Sequence, residues 1–557
     1  MLTALGAVAA LLVWRSVWLQ VVDREFLQQQ GRAQFVREVT VPAHRGTITD
    51  RHGAPLALST PVHSVGARPA RLLARPEHIE TLARVFGVPV ESLRKRLQAR
   101  RGRDFVYLRR QLPPEAIDRL APVLADASAG VEVRREYRRY YPAGEAAGHV
   151  VGFTDIDDRG QEGVELAWDR LLRGEDGRNR VIVAPGNRVV EDLGVIRPMR
   201  PGADLALSID RRLQYLAYRE LKAAVARHRA RAGWAVLLDP RSGEVLAMVN
   251  QPSYNPNDGA QRRGELTRNR AVTDPIEPGS TMKPFTVAAA LMRGEYRPDT
   301  PVDTSPGILK VGGRTVKDVR NYGVLDVTGV ITRSSNVGAA RLALSLEPDA
   351  LWSLYSAVGF GQIPGGGFPG EAPGVLRDFR GWSTFEQATM AFGYGISVTA
   401  LQLARAYGAL ANDGVLVPVS FVRVETPPRG ERVMPAEVAR QVRAMLETVV
   451  TPAGTGRRAR VPWYRVAGKT GTVRKAVRGG YADDRYRALF AGMAPASNPR
   501  LVLVVVIDEP AAGQYYGGQV AAPIFSAIMA DALRLLDVPP DDLPELVGRE
   551  GGREGAT

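Results

Sequence analysis

The chain has 557 residues and a formal net charge of +15, with 74 Lys and Arg against 59 Asp and Glu, and it contains no cysteine. That length accommodates about two or three domains with sizeable cores, and the missing thiols exclude a disulfide framework, a thiolate zinc site and a cysteine nucleophile. All six histidines precede residue 229, no H-E-x-x-H pair occurs, and arginine is scattered rather than striped, which argues against metal hydrolysis and nucleic-acid binding.

Residues 2–14 are apolar apart from Thr3; Arg15 and Ser16 interrupt, and 17–22 resume. A span needs roughly 20 apolar residues. No basic cluster precedes the run and no small-x-small site follows it, so 1–22 reads as an uncleaved membrane anchor rather than a cleaved signal peptide.

Residues 23–200 mix charged helical stretches (76–103) with short strand-like pieces (131–133) and read as an elongated, non-catalytic α+β module. Asp155, Asp157 and Asp158 lie in a Gly-flanked loop without calcium-loop spacing and are expected to form a turn. Arg45–Arg51 reads as a structural or partner-docking motif, with a charged β-turn as the alternative. Pro198–Pro201 and Gly202 mark a linker, followed by an alternating strand at 204–209 and a helix capped by Asp210 and running to about Arg227. Trp234–Asp239 and Glu244–Val249 flank Pro240-Arg241-Ser242-Gly243, a hairpin signal.

Pro364–Gly374 is expected to be a surface loop, and Phe392–Gly395 a tight turn into a helix over 399–411. Leu501–Ile507 is an unbroken, mostly β-branched run too short for a membrane, hence a central strand, and 521–536 is an amphipathic helix. Strands at both ends around a helical middle predict an α+β domain, an antiparallel sheet with helices on its faces. The expected division is 1–22 anchor, 23–200 non-catalytic module, 201–538 catalytic domain and 539–557 disordered tail.

Three short motifs fall in order within the catalytic part: Ser280-Thr281-Met282-Lys283, Ser334-Ser335-Asn336 and Lys469-Thr470-Gly471. Ser280 follows a turn signal and opens an apolar helical run, with Pro284 in the first turn, so the helix is expected to start near Ser280. A lysine three residues on shares its face and can reach its hydroxyl. A serine hydroxyl needs a base to become nucleophilic. Lys283 can be that base only if desolvation or a second cation, for which Lys469 is the candidate, lowers its pKa.

Ser334 can relay a proton to a leaving amine, and the Asn336 amide can hold a peptide-like substrate. Gly471 lets a ligand approach the backbone closely. Thr470, Thr472 and Lys469 would bind a substrate carboxylate, and the Thr472 and Ser280 N–H groups would form an oxyanion hole. Lysine is rare here, seven residues against 67 arginines. Arginine keeps its proton in a protein and could not replace Lys283 as base. Ser92-Leu93-Arg94-Lys95 and Ser253-Tyr254-Asn255 match the first two patterns by chance, without the order or context. No metal or cofactor is expected.

Glu277–Pro284, Ser334–Gly338, Phe392–Gly395 and Tyr516–Gly518 resemble the class B penicillin-binding proteins, and Arg45–Arg51 and Gly160–Glu165 resemble that class's non-catalytic module. Trp18–Val22 and Pro252–Asn257 are similar to the division-specific (septal) subfamily, FtsI type. The resemblance runs from about Arg15 to Leu536 and implies the penicillin-binding transpeptidase fold. It also implies a serine-type D,D-transpeptidase that acylates Ser280 with a peptidoglycan stem peptide, passes the acyl group to a neighbouring amine and is acylated by β-lactams.

The implied setting is single-pass in a bacterial inner membrane, with the catalytic domain periplasmic. The implied partners are a polytopic glycan polymerase and other division proteins. Family members usually carry a basic cytoplasmic segment before the span, whereas here apolar sequence follows Met1 directly. The competing readings are an elongation-specific transpeptidase, a D,D-carboxypeptidase or β-lactamase that transfers to water, and a β-lactam-binding sensor.

Overall fold

The computed structural model describes residues 2–18, 36–183, 189–477 and 480–543. Leu2–Val17 is a helix, and among the described residues no helix is long and apolar enough to cross a membrane. Residues 19–22 of the expected anchor, and 544–557 of the expected tail, lie outside the described residues.

In the N-terminal part, the long strand Pro55–Ala67 pairs antiparallel with Val106–Leu112 on one side and Val131–Tyr140 on the other. Two helices, Pro76–Phe86 and Val90–Gln98, bring Leu82, Leu93 and Leu97 onto Val65 and Leu108 in a separate small core. Val36–Val41, Gly177–Val183 and Val189–Arg197 make a second antiparallel sheet of three strands.

Arg45 is buried. It donates from Nε to Glu165 Oε2 (2.7 Å) and from Nη1 to Asp169 Oδ1 (2.7 Å), while Arg139 Nε reaches Glu165 Oε1 (2.6 Å). At Arg45 the motif is therefore structural, since a buried carboxylate is tolerable only when paired. The Asp155 loop is the expected turn: Asp155 Oδ1 accepts from the backbone N–H of Asp157 and Arg159.

The Pro198–Gly202 stretch is held more firmly than its Pro and Gly content suggests. Glu175 and Arg200 exchange backbone hydrogen bonds (2.9 and 3.0 Å), and Gly202 N donates to His44 O. Leu205–Ala206 then runs parallel to Ile48–Thr49, and Ser208 N donates to Phe421 O, so one short strand is bonded to both halves of the chain. Proline and glycine mark where a chain turns but not what its remaining backbone groups bond to.

The C-terminal part is built on five antiparallel strands in the order Val245–Gln251, Ala232–Leu238, Leu501–Asp508, Gly480–Ala494, Ala467–Val477. The first two are the expected hairpin. Asp210 caps Arg211–Arg227, its carboxylate accepting from Arg212 N at 2.9 Å.

Side chains alternate across a strand, and here both faces are covered. Trp234, Val236 and Leu238 enter one core with Phe285, Leu401 and Leu446; Ala235 and Leu237 enter the other with Leu213 and Phe525. That explains the unbroken apolar run at 501–507, every residue of which is 0% exposed. Each such buried Val or Leu contributes about 1.5–3 kcal/mol. Ala467–Val477 is the sheet's outer strand, and the three motifs meet beside it.

Candidate active site

Ser280 lies in a 3-10 turn, Gly279–Met282, and the α-helix begins only at Lys283. The start is thus three residues later than the sequence suggests. Pro284, which has no N–H to offer, takes the second helical position, where none is needed. Gly279 opens the turn in the left-handed region (φ 55°) and donates to Gly393 O at 3.3 Å. Thr281 Oγ1 donates to Pro278 O (2.7 Å), and Tyr407 OH to Thr281 O (2.9 Å).

Phe392–Gly395 is a turn, as expected, and it presses on the Ser280 turn. A Cβ on Gly393 (φ 81°) would stand 2.3 Å from Gly279 O. The glycine of Lys469-Thr470-Gly471 accommodates the same element: a Cβ there would meet Pro278 O at 3.1 Å and Thr281 Cγ2 at 3.2 Å. What approaches Gly471 closely is the Ser280 turn rather than a ligand.

Lys283 Nζ is 3.0 Å from Ser280 Oγ and donates to Ser334 O (2.5 Å), Asn336 Oδ1 (2.8 Å) and Ser334 Oγ (3.1 Å). Ser334 closes the helix Val327–Arg333 in the left-handed region (φ 59°, ψ 40°), and Ser335 caps the next helix, Asn336–Leu344. This sharp reversal lets Ser334 and Asn336 both face Lys283, while Ser335 turns inward to accept from Gly338 N (2.8 Å). A non-glycine residue at such φ is uncommon and costs about 1–3 kcal/mol.

Lys469 Nζ completes the cluster, donating to Ser334 Oγ (2.9 Å) and Thr470 O (3.1 Å). Thr470 Oγ1 shares a hydrogen bond with Thr455 Oγ1 (2.7 Å), and Thr472 Oγ1 accepts from Gly517 N (2.9 Å).

Both lysines are 0% exposed, whereas Ser280, Ser334, Asn336 and Thr472 are half-buried. Burial, reinforced by the charge of Lys469 and opposed by Asp318, holds Lys283 well below the usual lysine range. Burial also brings Lys469 down to about 7. A buried amine of that kind can accept a proton from a neighbouring hydroxyl, which an exposed lysine cannot do at neutral pH.

Three supports were not read from the sequence. Asp318 accepts from Ser335 Oγ (2.5 Å), Asn336 N (2.5 Å) and Val337 N (3.1 Å), and so orients the middle motif. Nothing around an isolated aspartate before that motif signals the role. Glu277 Oε1 accepts from Tyr481 OH (2.9 Å) and Gly395 N (3.1 Å), and burial raises its pKa. Its place three residues before Ser280 is the one signal that could have found it. Gly517 was visible only as part of a resemblance. The chance matches stay apart: Ser92–Lys95 is on the helix Val90–Gln98, and Ser253 Oγ donates to Glu145 O.

A five-stranded antiparallel sheet covered by helices on both faces, with serine- and lysine-bearing motifs at its outer strand, defines the class: a penicillin-binding transpeptidase fold. The family model for the penicillin binding protein transpeptidase domain matches residues 233–530, and that for the penicillin-binding protein dimerisation domain matches 40–207. The chain belongs to the penicillin-binding protein transpeptidase family and carries that family's dimerisation domain.

It is 45% identical over 532 residues to a probable peptidoglycan D,D-transpeptidase, PbpC, of Pseudomonas aeruginosa, covering 95% of this chain and 94% of that one. It is 43% identical over 539 residues to the peptidoglycan D,D-transpeptidase FtsI of Escherichia coli K12, covering 96% and 91%. Among solved structures it resembles penicillin-binding protein 3 of Mycobacterium tuberculosis in complex with aztreonam, at 30% identity and TM-score 0.71 over 90% of this chain and 98% of that one. It also resembles the transpeptidase domain of Burkholderia pseudomallei penicillin-binding protein 3, at 48% identity and TM-score 0.57 over 61% and 98%.

Proposed function

We propose that this protein is a peptidoglycan D,D-transpeptidase that cross-links stem peptides during septal wall synthesis through an acyl-enzyme on Ser280. The observation that carries the mechanism is the Ser334 hydroxyl, within hydrogen-bond reach of two buried lysines, one of which touches Ser280 Oγ.

Lys283, neutral in its buried setting, accepts the Ser280 proton as Oγ attacks the carbonyl of the D-Ala–D-Ala bond. The oxyanion that forms is held by the N–H groups of Ser280 and Thr472. The proton passes through Ser334 to the departing D-alanine amine, the C–N bond breaks, and the acyl group remains as an ester on Ser280. An amine of a neighbouring strand then attacks that ester, returns its proton along the same path and leaves with the acyl group.

Asn336 holds the donor peptide. Lys469, Thr470 and Thr472 hold the terminal carboxylate, which a cation recognises best where water is excluded. Gly471 keeps the outer strand close to the Ser280 turn. A β-lactam enters as a mimic of the dipeptide and leaves a stable ester.

Residues 1–22 anchor the chain in the bacterial inner membrane with the rest periplasmic; 23–200 form the non-catalytic module and 201–538 the transpeptidase domain. The anchor and the 23–200 module dock to a polytopic glycan polymerase and other division proteins.

The test has two parts. After incubation with benzylpenicillin, intact mass and peptide mapping should show one penicilloyl group on the Ser280 peptide that persists for hours. With stem-peptide donor and acceptor strands, the product should be a cross-linked dimer. Free D-alanine without dimer would assign a carboxypeptidase, and rapid drug hydrolysis a β-lactamase.

A further inference from the structure

Away from the motifs, residues from the two halves of the chain line a half-open polar cavity of about 280 Å³, among them Arg138, Arg139, Thr154, Asp155, Gln111 and Arg262. Arg139 is 4% exposed. Its Nε donates to Glu165 Oε1 (2.6 Å) and its Nη1 to Ser59 Oγ (3.2 Å), but its buried Nη2 meets no acceptor among the described residues. Glu165 is shared with Arg45, so one carboxylate serves two guanidinium groups.

Arg262 donates to two neutral groups, Pro256 O (2.7 Å) and Thr154 O (3.0 Å), and rests over the Phe153 ring, which fixes its plane without cancelling its charge. Arg138 is exposed at the cavity. The one carboxylate of the lining, Asp155, is engaged by its own loop, accepting from Asp157 N, Arg159 N and Gln161 Nε2.

We propose that this cavity binds a phosphate-bearing anion of about pyrophosphate size. Guanidinium forks match phosphate oxygens in pairs. Arg262, whose donated bonds go to neutral carbonyls, and the exposed Arg138 are paired with no carboxylate among the described residues and offer such a group their positive charge. A water takes up about 30 Å³ of liquid, so the space admits a group of several oxygens rather than a lone small ion. Arg262 comes from the C-terminal part and the other arginines from the N-terminal part, so the bound anion braces the two parts against each other. The site is independent of the catalytic reading. Free diphosphates and lipid-borne phosphates share the required chemistry.

The experiment is calorimetric titration of the full chain in detergent with inorganic pyrophosphate at constant ionic strength. One saturable site is expected, insensitive to acetate at equal ionic strength. R138A should weaken it by about tenfold or more, as the loss of one charge-assisted contact requires. Penicillin labelling of R138A, expected to equal wild type, reports that the variant is folded. Vesicles containing phosphatidic acid in zwitterionic lipid then identify the source. Co-sedimentation that pyrophosphate displaces, and that R138A lacks, assigns a lipid-borne phosphate. Pyrophosphate binding without such displacement assigns a free one. Absence of saturable binding in the millimolar range, or equal binding by R138A, overturns the proposal.

Discussion

The Ser334 hydroxyl lies 3.1 Å from Lys283 Nζ and 2.9 Å from Lys469 Nζ, so one oxygen joins two buried lysines. Two positive charges bridged by one oxygen lie at most about 6 Å apart and repel by at least about 3 kcal/mol at an effective dielectric near 20. Burial and the charge of Lys469 both lower Lys283, so in the proposed mechanism Lys283 is the lysine that acts without its proton.

Altering either member of the Ser280–Lys283 contact should stop acylation. S280A is expected to lose covalent labelling by fluorescent penicillin while its thermal unfolding stays close to wild type; labelling at full stoichiometry would mean another nucleophile. K283R should fail as well, because guanidinium keeps its proton. Near-normal acylation by K283R would show that Lys283 is not the base.

The pH dependence follows from the same pair. Lys283 acts unprotonated and its pKa is lowered, so acylation should rise as pH climbs through a value well below the ordinary lysine range. Lys469 acts as a cation with a pKa of about 7, so the rate should fall as pH rises through that region. In K469A the Coulombic contribution to Lys283 is gone, its pKa rises, and the acid limb should move to higher pH. The second-order rate of benzylpenicillin acylation measured against pH tests both limbs. An acid limb unmoved in K469A would dissociate the two lysines.

Asp318 should act in the opposite sense. It opposes the downward shift of Lys283 and accepts from three donors at the start of the helix Asn336–Leu344. D318A is expected to lower stability by about 1–3 kcal/mol, the cost of leaving such donors unpaired. Its residual acylation should show an acid limb at lower pH than wild type. Denaturant unfolding and the same pH series measure the two effects separately.

Gly393 and Gly395 allow a comparison of contact against strain. Both have φ near 80°, but only at Gly393 would a Cβ strike the Ser280 turn, while at Gly395 nothing lies within 4 Å. G393A should slow acylation by about 100-fold, the penalty expected for a displacement of around 1 Å at the reacting group. G395A carries only the backbone strain and should slow it far less. Equal effects would locate the cause in the shared backbone conformation.

Glu165 tests the N-terminal part. It is 0% exposed and joins Arg45 to Arg139, so E165A leaves two buried guanidinium groups short of their carboxylate. A loss of about 3–5 kcal/mol is expected by thermal or denaturant unfolding. Penicillin labelling of the folded fraction should persist, because Glu165 pairs with Arg45 and Arg139 and with none of the residues around Ser280.

Much of the site was legible because its chemistry tolerates few residue types. Lys283 stood out among abundant arginines, and its three-residue offset from Ser280 holds in a 3-10 turn almost as well as in an α-helix. The hairpin at 232–251 and the Asp210 cap were legible because turns and caps are local. The start of the nucleophile helix was placed too early, since Ser280 and Lys283 fit either geometry and the choice is made by Gly393 and Tyr407.

By itself, then, the sequence determined which groups could do the chemistry, their order and the α+β pattern, because residue type and short-range spacing are written along the chain. Only the tertiary structure decided the rest. It set the burial that lowers both lysine pKa values and the left-handed Ser334 that aims two motifs at one amine. It brought Tyr481 to a carboxylate 204 positions away and opened the arginine-lined cavity between the two halves. Each of these depends on which distant surfaces close on one another, and local spacing does not encode that.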